Sequence, residues 1–207
     1  MDFTVWLTFF AASWAISFSP GPGAVAAMGA GLNHGFARGY WLTFGLILGI
    51  ITQLAVVGVG LGALMAASST AFTALKWLGV AYLVWLGIQQ WRSPVHAVQT
   101  ESDAPAVSRH ALVLRGWIIN ALNPKGTVFM LAVVPQFVDP LRPLLTQYSV
   151  IAATLCFTDL VVMALYTGLA SRVLALLREP HHLRWMNRSF GALFVLAGTL
   201  LATFKRS

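Results

Sequence analysis

Six long apolar segments, separated by shorter polar stretches, dominate the chain. They cover about residues 3–32, 40–66, 71–91, 111–134, 147–170 and 189–204. Most are close to the roughly 20 apolar residues that a helix needs to cross a bilayer. Because lipid offers the backbone no hydrogen-bond partners, continuous apolar runs of this length form helices. The pattern therefore predicts an all-α membrane protein with six transmembrane helices in a single domain over residues 1–207.

The composition agrees with a membrane protein. Hydrophobic residues make up 58% of the chain and charged residues only 9%, whereas soluble domains carry about 25% charged residues. The net charge of +7 raises the alternative of nucleic-acid binding, but Lys and Arg mark the ends of apolar segments instead of forming one patch. We therefore predict contact with anionic membrane lipids and no nucleic-acid partner. One cysteine, Cys156, excludes an intramolecular disulfide.

The basic residues between the segments predict the orientation of the chain. Eight follow the first, third and fifth segments: Arg38, Arg92, Arg109, Arg115, Arg172, Arg178, Arg184 and Arg188. Four lie on the opposite side: Lys76, Arg142, Lys205 and Arg206. Because loops rich in Lys and Arg stay in the cytoplasm, we predict both termini outside it and a cytoplasmic linker at about residues 93–110. Asp2 stands where a signal peptide is basic, so we predict a retained first helix.

The two halves of the chain resemble each other, which predicts a repeat of residues 1–92 in residues 111–207. Three short stretches match in order: 19–22 with 123–126, 52–62 with 158–168, and 76–82 with 188–194. Each half holds three helices, an odd number, so the second copy enters the membrane inverted. Transporters place binding sites between such repeats. The alternative interpretation is a chance likeness between apolar segments rich in Gly and Pro.

The first helix of each half is interrupted near the middle of the membrane. The interruptions are Ser19-Pro20-Gly21-Pro22-Gly23 and Asn123-Pro124-Lys125-Gly126. Proline breaks the helical hydrogen bonding and glycine permits a sharp turn. We expect Ser19 and Asn123 to cap the second half-helices, whose N-termini would offer unpaired N–H groups to an anion such as a carboxylate. The alternative is a pair of kinks that only shape packing.

Two charged residues, Lys125 and Asp159, are predicted at the depth of these breaks. A charge there costs on the order of 3 kcal/mol on insertion scales, so it requires a partner or a function. In one hypothesis the two form an ion pair. In the other, Asp159 receives a substrate ammonium or a coupling proton while Lys125 helps to hold a carboxylate. With Gln53, the repeat mate of Asp159, the predicted substrate-binding residues are Ser19, Pro20, Gly21, Gly23, Gln53, Asn123, Pro124, Lys125 and Asp159.

Other classes of function lack the residues that they need. An intramembrane aspartyl protease requires two carboxylates at membrane depth, and only Asp159 is present there. A nucleophilic enzyme would need Ser or Cys beside a base such as His, and a metal exporter would need several Asp, Glu or His within the helices. All five histidines fall between the predicted segments: His34, His96, His110, His181 and His182. We predict no enzymatic activity, no cofactor and no metal. A structural or assembly protein of the membrane is the alternative to a transporter.

Six short motifs carry a resemblance to a known family: residues 19–23, 32–35, 75–83, 87–92, 123–125 and 135–137. Together they resemble the RhtB branch of the LysE family of amino-acid exporters. The resemblance implies export of homoserine, its lactone, threonine or similar small amino acids across the bacterial inner membrane, in exchange for protons. It also places the Ser-Pro-Gly and Asn-Pro-Lys elements of the family at residues 19–21 and 123–125. An exporter of another small solute is the alternative, and the oligomeric state stays open, with a homodimer among the candidates.

Overall fold

The computed structural model describes residues 1–67, 69–92, 107–139, 141–170 and 180–203. Most of the predicted linker lies outside these ranges, as do His96, Arg172, Arg178, Lys205 and Arg206. Within them the chain is helical, without β-strands, and forms α1 (Phe3–Phe18), α2 (Pro22–Gly39), α3 (Trp41–Ala67), α4 (Ser69–Arg92), α5 (Arg109–Ala121), α6 (Pro124–Phe137), α7 (Leu144–Gly168) and α8 (Pro180–Thr203).

Two pairs of helices are bent at the breaks that the sequence predicts. The angle is 57° between α1 and α2 and 55° between α5 and α6. By length and composition each pair could form one broken membrane span, and Trp41–Gly60 of α3 and the whole of α7 could each cross alone. The described helices thus contain two to four candidate spans by this criterion. Large apolar side chains stay exposed on their surface, among them Phe3, Val56, Val59, Leu122, Leu145 and Leu196.

Two helices extend beyond the predicted apolar segments. Helix α2 continues to Gly39 through a kink at Gly35, whose φ of 70° suits glycine, and α8 begins at Pro180. The first turns of α8 are too polar to be counted as a membrane segment, although polar residues do not prevent a helix. The prediction that the histidines lie between helices was wrong for His34, His110, His181 and His182.

The buried apolar residues form two clusters on either side of the breaks. One contains residues of α1, α6 and the early part of α7, such as Phe9, Met130 and Leu155. The other contains residues of α2, α5 and the later part of α7, such as Met28 and Val162. Each broken pair therefore runs from one cluster to the other, in opposite orders along the chain. The breaks lie where the two clusters meet.

Helices α3 and α5 pack backbone to backbone. Gly45 lies against the carbonyl group of Val113, and Gly116 lies against the carbonyl group of Leu42. A Cβ atom built on Gly116 would also lie 3.0 Å from the backbone nitrogen of Leu46. Any side chain at these two positions would push the helices apart, so glycine is required by the close approach. Helix α1 packs on α7 less extensively.

Candidate functional site

At the first break, the N–H groups at the start of α2 are open, unlike the carbonyl groups at the end of α1. Ser19 is the C-cap of α1, and Gly21, in an extended conformation, is the N-cap of α2. No side chain caps α2. The prediction that Ser19 would cap this half-helix was wrong, because Pro20 and Gly21 separate it from the first helical residue. Since Pro22 has no N–H, the open donors of α2 belong to residues 23 and 24, which have no hydrogen-bond partner in the described part of the chain.

At the second break, side chains bind one N–H group of α6 and one carbonyl group. Asn123 caps α6 by accepting a hydrogen bond from the backbone N–H of Lys125 at 3.1 Å, and Pro124 is the first helical residue. This confirms the predicted cap. The Gln53 side chain of α3 then donates to the carbonyl of Asn123 at 2.9 Å and to the hydroxyl of Thr127 at 2.8 Å. The α6 terminus is therefore fastened to α3, unlike the α2 terminus.

The Lys125 side chain reaches from the second break to the first. Its ammonium donates to the Ser19 hydroxyl at 2.6 Å, to the Ser19 carbonyl at 3.2 Å and to the Pro20 carbonyl at 3.5 Å. It also lies 5.5 Å from the centre of the Phe194 ring, within the range of a cation–π interaction. The carbonyl end of a helix carries partial negative charge. Lys125 is thus held by the C-terminal end of α1.

Side chains of helix α7 also bind the C-terminal end of α1. The Tyr166 hydroxyl donates to the carbonyl of Phe18 at 2.8 Å, and the hydroxyls of Ser17 and Thr158 are 3.2 Å apart. The last turn of α1 therefore has side-chain partners from both α6 and α7. These bonds fix the position of the break without using the N–H groups of α2.

A cavity lies between the two breaks. Its empty volume is about 630 Å³, including the part that opens outwards. Seven of the nine predicted binding residues line it: Ser19, Gly21, Gly23, Gln53, Asn123, Lys125 and Asp159. Pro20 and Pro124 do not. Pro20 supplies a carbonyl to Lys125, and Pro124 starts α6.

Asp159 lies at the level where the two apolar clusters meet. In α7 it follows Leu155, which belongs to one cluster, and precedes Val162, which belongs to the other. It is partly buried and faces the cavity. Within the described residues its carboxylate makes no hydrogen bond and no ion pair, so it is not paired with Lys125 in this conformation. The cavity therefore contains an unpaired carboxylate and a lysine that is bound elsewhere.

Sequence reasoning missed several residues of the site. Asn120 lines the cavity and donates to the carbonyl of Leu46 at 2.7 Å. Its position about one helical turn before Asn123 is a signal that could have identified it. Tyr166 and Phe194 carried no such signal, because they approach the break from distant parts of the chain. The remaining wall is mostly apolar: Ile16, Leu46, Ile50, Phe129, Met130, Leu155 and Met163.

A cavity at two helix breaks, set between apolar layers and containing charged groups, is the architecture of a helical membrane transport protein. The family of LysE type translocators matches residues 14–204, and the chain belongs to this family. The resemblance seen in the sequence is thereby confirmed. Translocators are transport proteins and not enzymes, in agreement with the expected class.

The relatives of this chain include efflux proteins. The homoserine/homoserine lactone efflux protein of Salmonella typhimurium is 41% identical over 207 residues, covering 100% of both chains. A leucine efflux protein of Klebsiella pneumoniae is 27% identical over 134 residues, covering 65% of this chain and 63% of the relative. An uncharacterized membrane protein of Vibrio cholerae is also 41% identical, over 99% of this chain and 100% of its own. No solved structure shows significant similarity.

Proposed function

We propose that the protein exports small amino acids or their derivatives, among them homoserine, homoserine lactone and threonine, across the bacterial inner membrane in exchange for protons. The observation that carries this proposal is the cavity in which the open N-terminus of α2 and the unpaired Asp159 face the same space. An amino acid carries a carboxylate for the N–H groups of α2 and an ammonium for Asp159. Efflux of homoserine and its lactone by a relative 41% identical over its full length supports the choice of substrate.

The proposed arrangement in the membrane is six spans in two inverted repeats. Each broken pair forms one span, and α3, α4, α7 and α8 form the others. Three observations support it: the similar bends of 57° and 55°, the position of the repeat mates Gln53 and Asp159 on one cavity, and the packing of α4 against α8. The distribution of basic residues supports periplasmic termini.

In the proposed complex the amino acid lies between its two charged ends. The carboxylate accepts hydrogen bonds from the N–H groups of Gly23 and Ala24, where the helix dipole favours negative charge. The ammonium binds the Asp159 carboxylate. The apolar wall around Leu46, Ile50 and Met163 takes the side chain. Because most of this wall makes no directional hydrogen bonds, it suits small side chains of differing polarity.

Exchange for protons follows from the single carboxylate. Asp159 holds either a substrate ammonium or a proton, but not both, because protonation removes the negative charge that binds the ammonium. A carboxylate within a membrane is costly when it has no partner. The transporter therefore returns most readily across the membrane when a proton has replaced the exported substrate. This coupling gives net export when protons are more concentrated outside.

The test is export from loaded cells that express the protein. We expect homoserine, homoserine lactone and threonine to appear outside faster than in cells with an empty vector, and a proton uncoupler to remove the difference. Leucine belongs in the same panel because of the Klebsiella relative. Equal rates with and without the protein for every compound would refute the proposed function. Export that persists with the uncoupler would refute only the proton exchange.

A further inference from the structure

A zwitterionic ligand would need one open cation and one open anion at the cavity, and the cavity does not offer both. Lys125 is the only cation among the described residues that line it, and its ammonium is already bound to Ser19 and Pro20. Asp159 has no partner in the described structure. What remains for the carboxyl end of a ligand is a set of neutral N–H donors at the start of α2. The ammonium of Lys125 keeps its charge, but its hydrogen bonds go to the end of α1, so the charged group that is open to a ligand is the negative one.

Neutral donors and charged donors select ligands differently. A site that binds a carboxylate through a lysine rejects an ester or an amide, because the buried ammonium is then left without its partner. Backbone N–H groups also bind the carbonyl of an ester or an amide, although more weakly than a carboxylate oxygen. What is lost is the extra attraction of the helix end for the negative charge, and it is small for a single helix end.

From this we infer that the cavity requires the amino group of its ligand and tolerates replacement of the carboxylate. The ligand class is a small primary amine whose neighbouring carbon carries a carboxylate, an ester or an amide. The inference deepens the proposed function and rests on it. It assigns Lys125 to positioning the first break and not to contact with the substrate.

The test is competition in proteoliposomes that contain the unaltered protein. Exchange of radiolabelled L-homoserine is measured against three unlabelled compounds: L-homoserine, its carboxamide and N-acetyl-L-homoserine. We expect the carboxamide to compete within about tenfold of homoserine, since it loses only the dipole attraction. The N-acetyl compound should compete at least about 100-fold more weakly, because its neutral amide leaves Asp159 unpaired. The opposite order would overturn the inference.

A variant at Lys125 provides the second measurement. We expect Lys125→Met to lower the transport of homoserine and of its carboxamide by the same factor, because both depend equally on the position of the break. A loss confined to homoserine would show that Lys125 binds the carboxylate and would overturn the inference. If this variant is inactive, the competition experiment still decides. If the unaltered protein transported none of homoserine, homoserine lactone and threonine, the proposed function would be refuted, and with it the inference.

Discussion

The two breaks bend the chain by nearly the same angle, but their backbone N–H and carbonyl groups differ in their hydrogen-bond partners. At the second break Asn123 caps α6 and Gln53 fastens it to α3. At the first break the carbonyl end of α1 is bound by Lys125 and Tyr166, and the amide end of α2 has no cap. The comparison teaches that two breaks of similar shape can differ in which backbone groups they leave open to a ligand.

One residue accounts for much of this difference. Gly21 occupies the N-cap of α2, where the second break has Asn123. Glycine brings no side-chain acceptor for the helix N–H groups. A Cβ atom on Gly21 would lie 3.8 Å from Cδ and 3.9 Å from Nζ of Lys125. Gly21 thus leaves the α2 terminus open, and a Cβ atom there would make only ordinary van der Waals contact with the lysine.

The largest effect is expected at Asp159, the carboxylate that both breaks face across the cavity. Asp159→Asn should reduce export at least about 100-fold, because an amide cannot hold the substrate ammonium or exchange a proton at neutral pH. The measurement is the initial rate of homoserine export at matched protein levels. Asp139→Asn, in the loop before α7, is the control and should export normally. Unchanged export by Asp159→Asn would remove this residue from the mechanism.

A second substitution would make the first break resemble the second. Gly21→Asn should cap α2 and stabilise the protein by about 1 kcal/mol, while it raises the KM for homoserine roughly tenfold by occupying the donors. The extended backbone of Gly21, with φ of −141°, accepts a side chain without strain. Thermal unfolding in detergent and transport in proteoliposomes measure the two effects.

Gly21→Ala is the matched control for this substitution. It adds the Cβ atom without an acceptor and should leave the KM near its original value, because the space there allows ordinary van der Waals contact. An equal loss in both variants would mean that the side chain blocks the site sterically. The difference between the two breaks would then not depend on capping.

The reverse change should affect stability more than transport. Asn123→Ala removes the cap of α6 and should lower the free energy of unfolding by about 1 kcal/mol, with a KM within about twofold of the original. Asn123→Asp keeps an acceptor at the cap and should recover most of the stability. If Asn123→Ala instead abolished homoserine binding at normal stability, the second break would also belong to the substrate contact.

The smallest effect is expected far from both breaks, at the ion pair between Asp2 and Arg142. Their closest atoms are 2.8 Å apart, and both side chains are exposed. Hydrogen bonding and the charge of Arg142 lower the pKa of the Asp2 carboxyl below its usual 3.8. A lowered pKa stabilises the folded state above that value, and the contribution disappears as the pH falls through the folded pKa. Salt screens exposed pairs, so it is small.

Arg142→Gln tests this pair. The variant should melt slightly below the original protein at pH 7, by less than Asn123→Ala does, and the gap should close as the pH is lowered below 3.8. Melting curves at the two pH values, at fixed ionic strength, make the comparison. A gap that stays constant over this range would mean that Arg142 acts through contacts other than the Asp2 charge.

The breaks could be predicted from sequence because proline and glycine act locally. The cap by Asn123 and the first helical position of Pro124 followed from the same local rules and are confirmed. The role of Ser19 could not be predicted in this way, since its partner, Lys125, is 106 residues away. Local preference favoured an N-cap, and a tertiary contact made Ser19 an acceptor for the lysine.

The level of Asp159 relative to the breaks was also predictable, because counting residues along the apolar segments places it beside them. Its state was not. Two opposite charges at one depth suggest an ion pair, and the sequence holds no sign that carbonyl groups of α1 would bind the lysine first. The polar start of α8 was missed for a related reason, since hydropathy measures contact with lipid and not the length of a helix.

The glycines between α3 and α5 have a mechanical consequence. Two helices whose backbones touch at Gly45 and Gly116 cannot slide past each other by a turn without a collision. Any rearrangement that opens the cavity to the other side of the membrane must then carry α3 and α5 as one rigid body. Spin labels at the exposed Phe44 and Leu114 should keep a constant separation through the transport cycle, while labels on α1 and α7 should not.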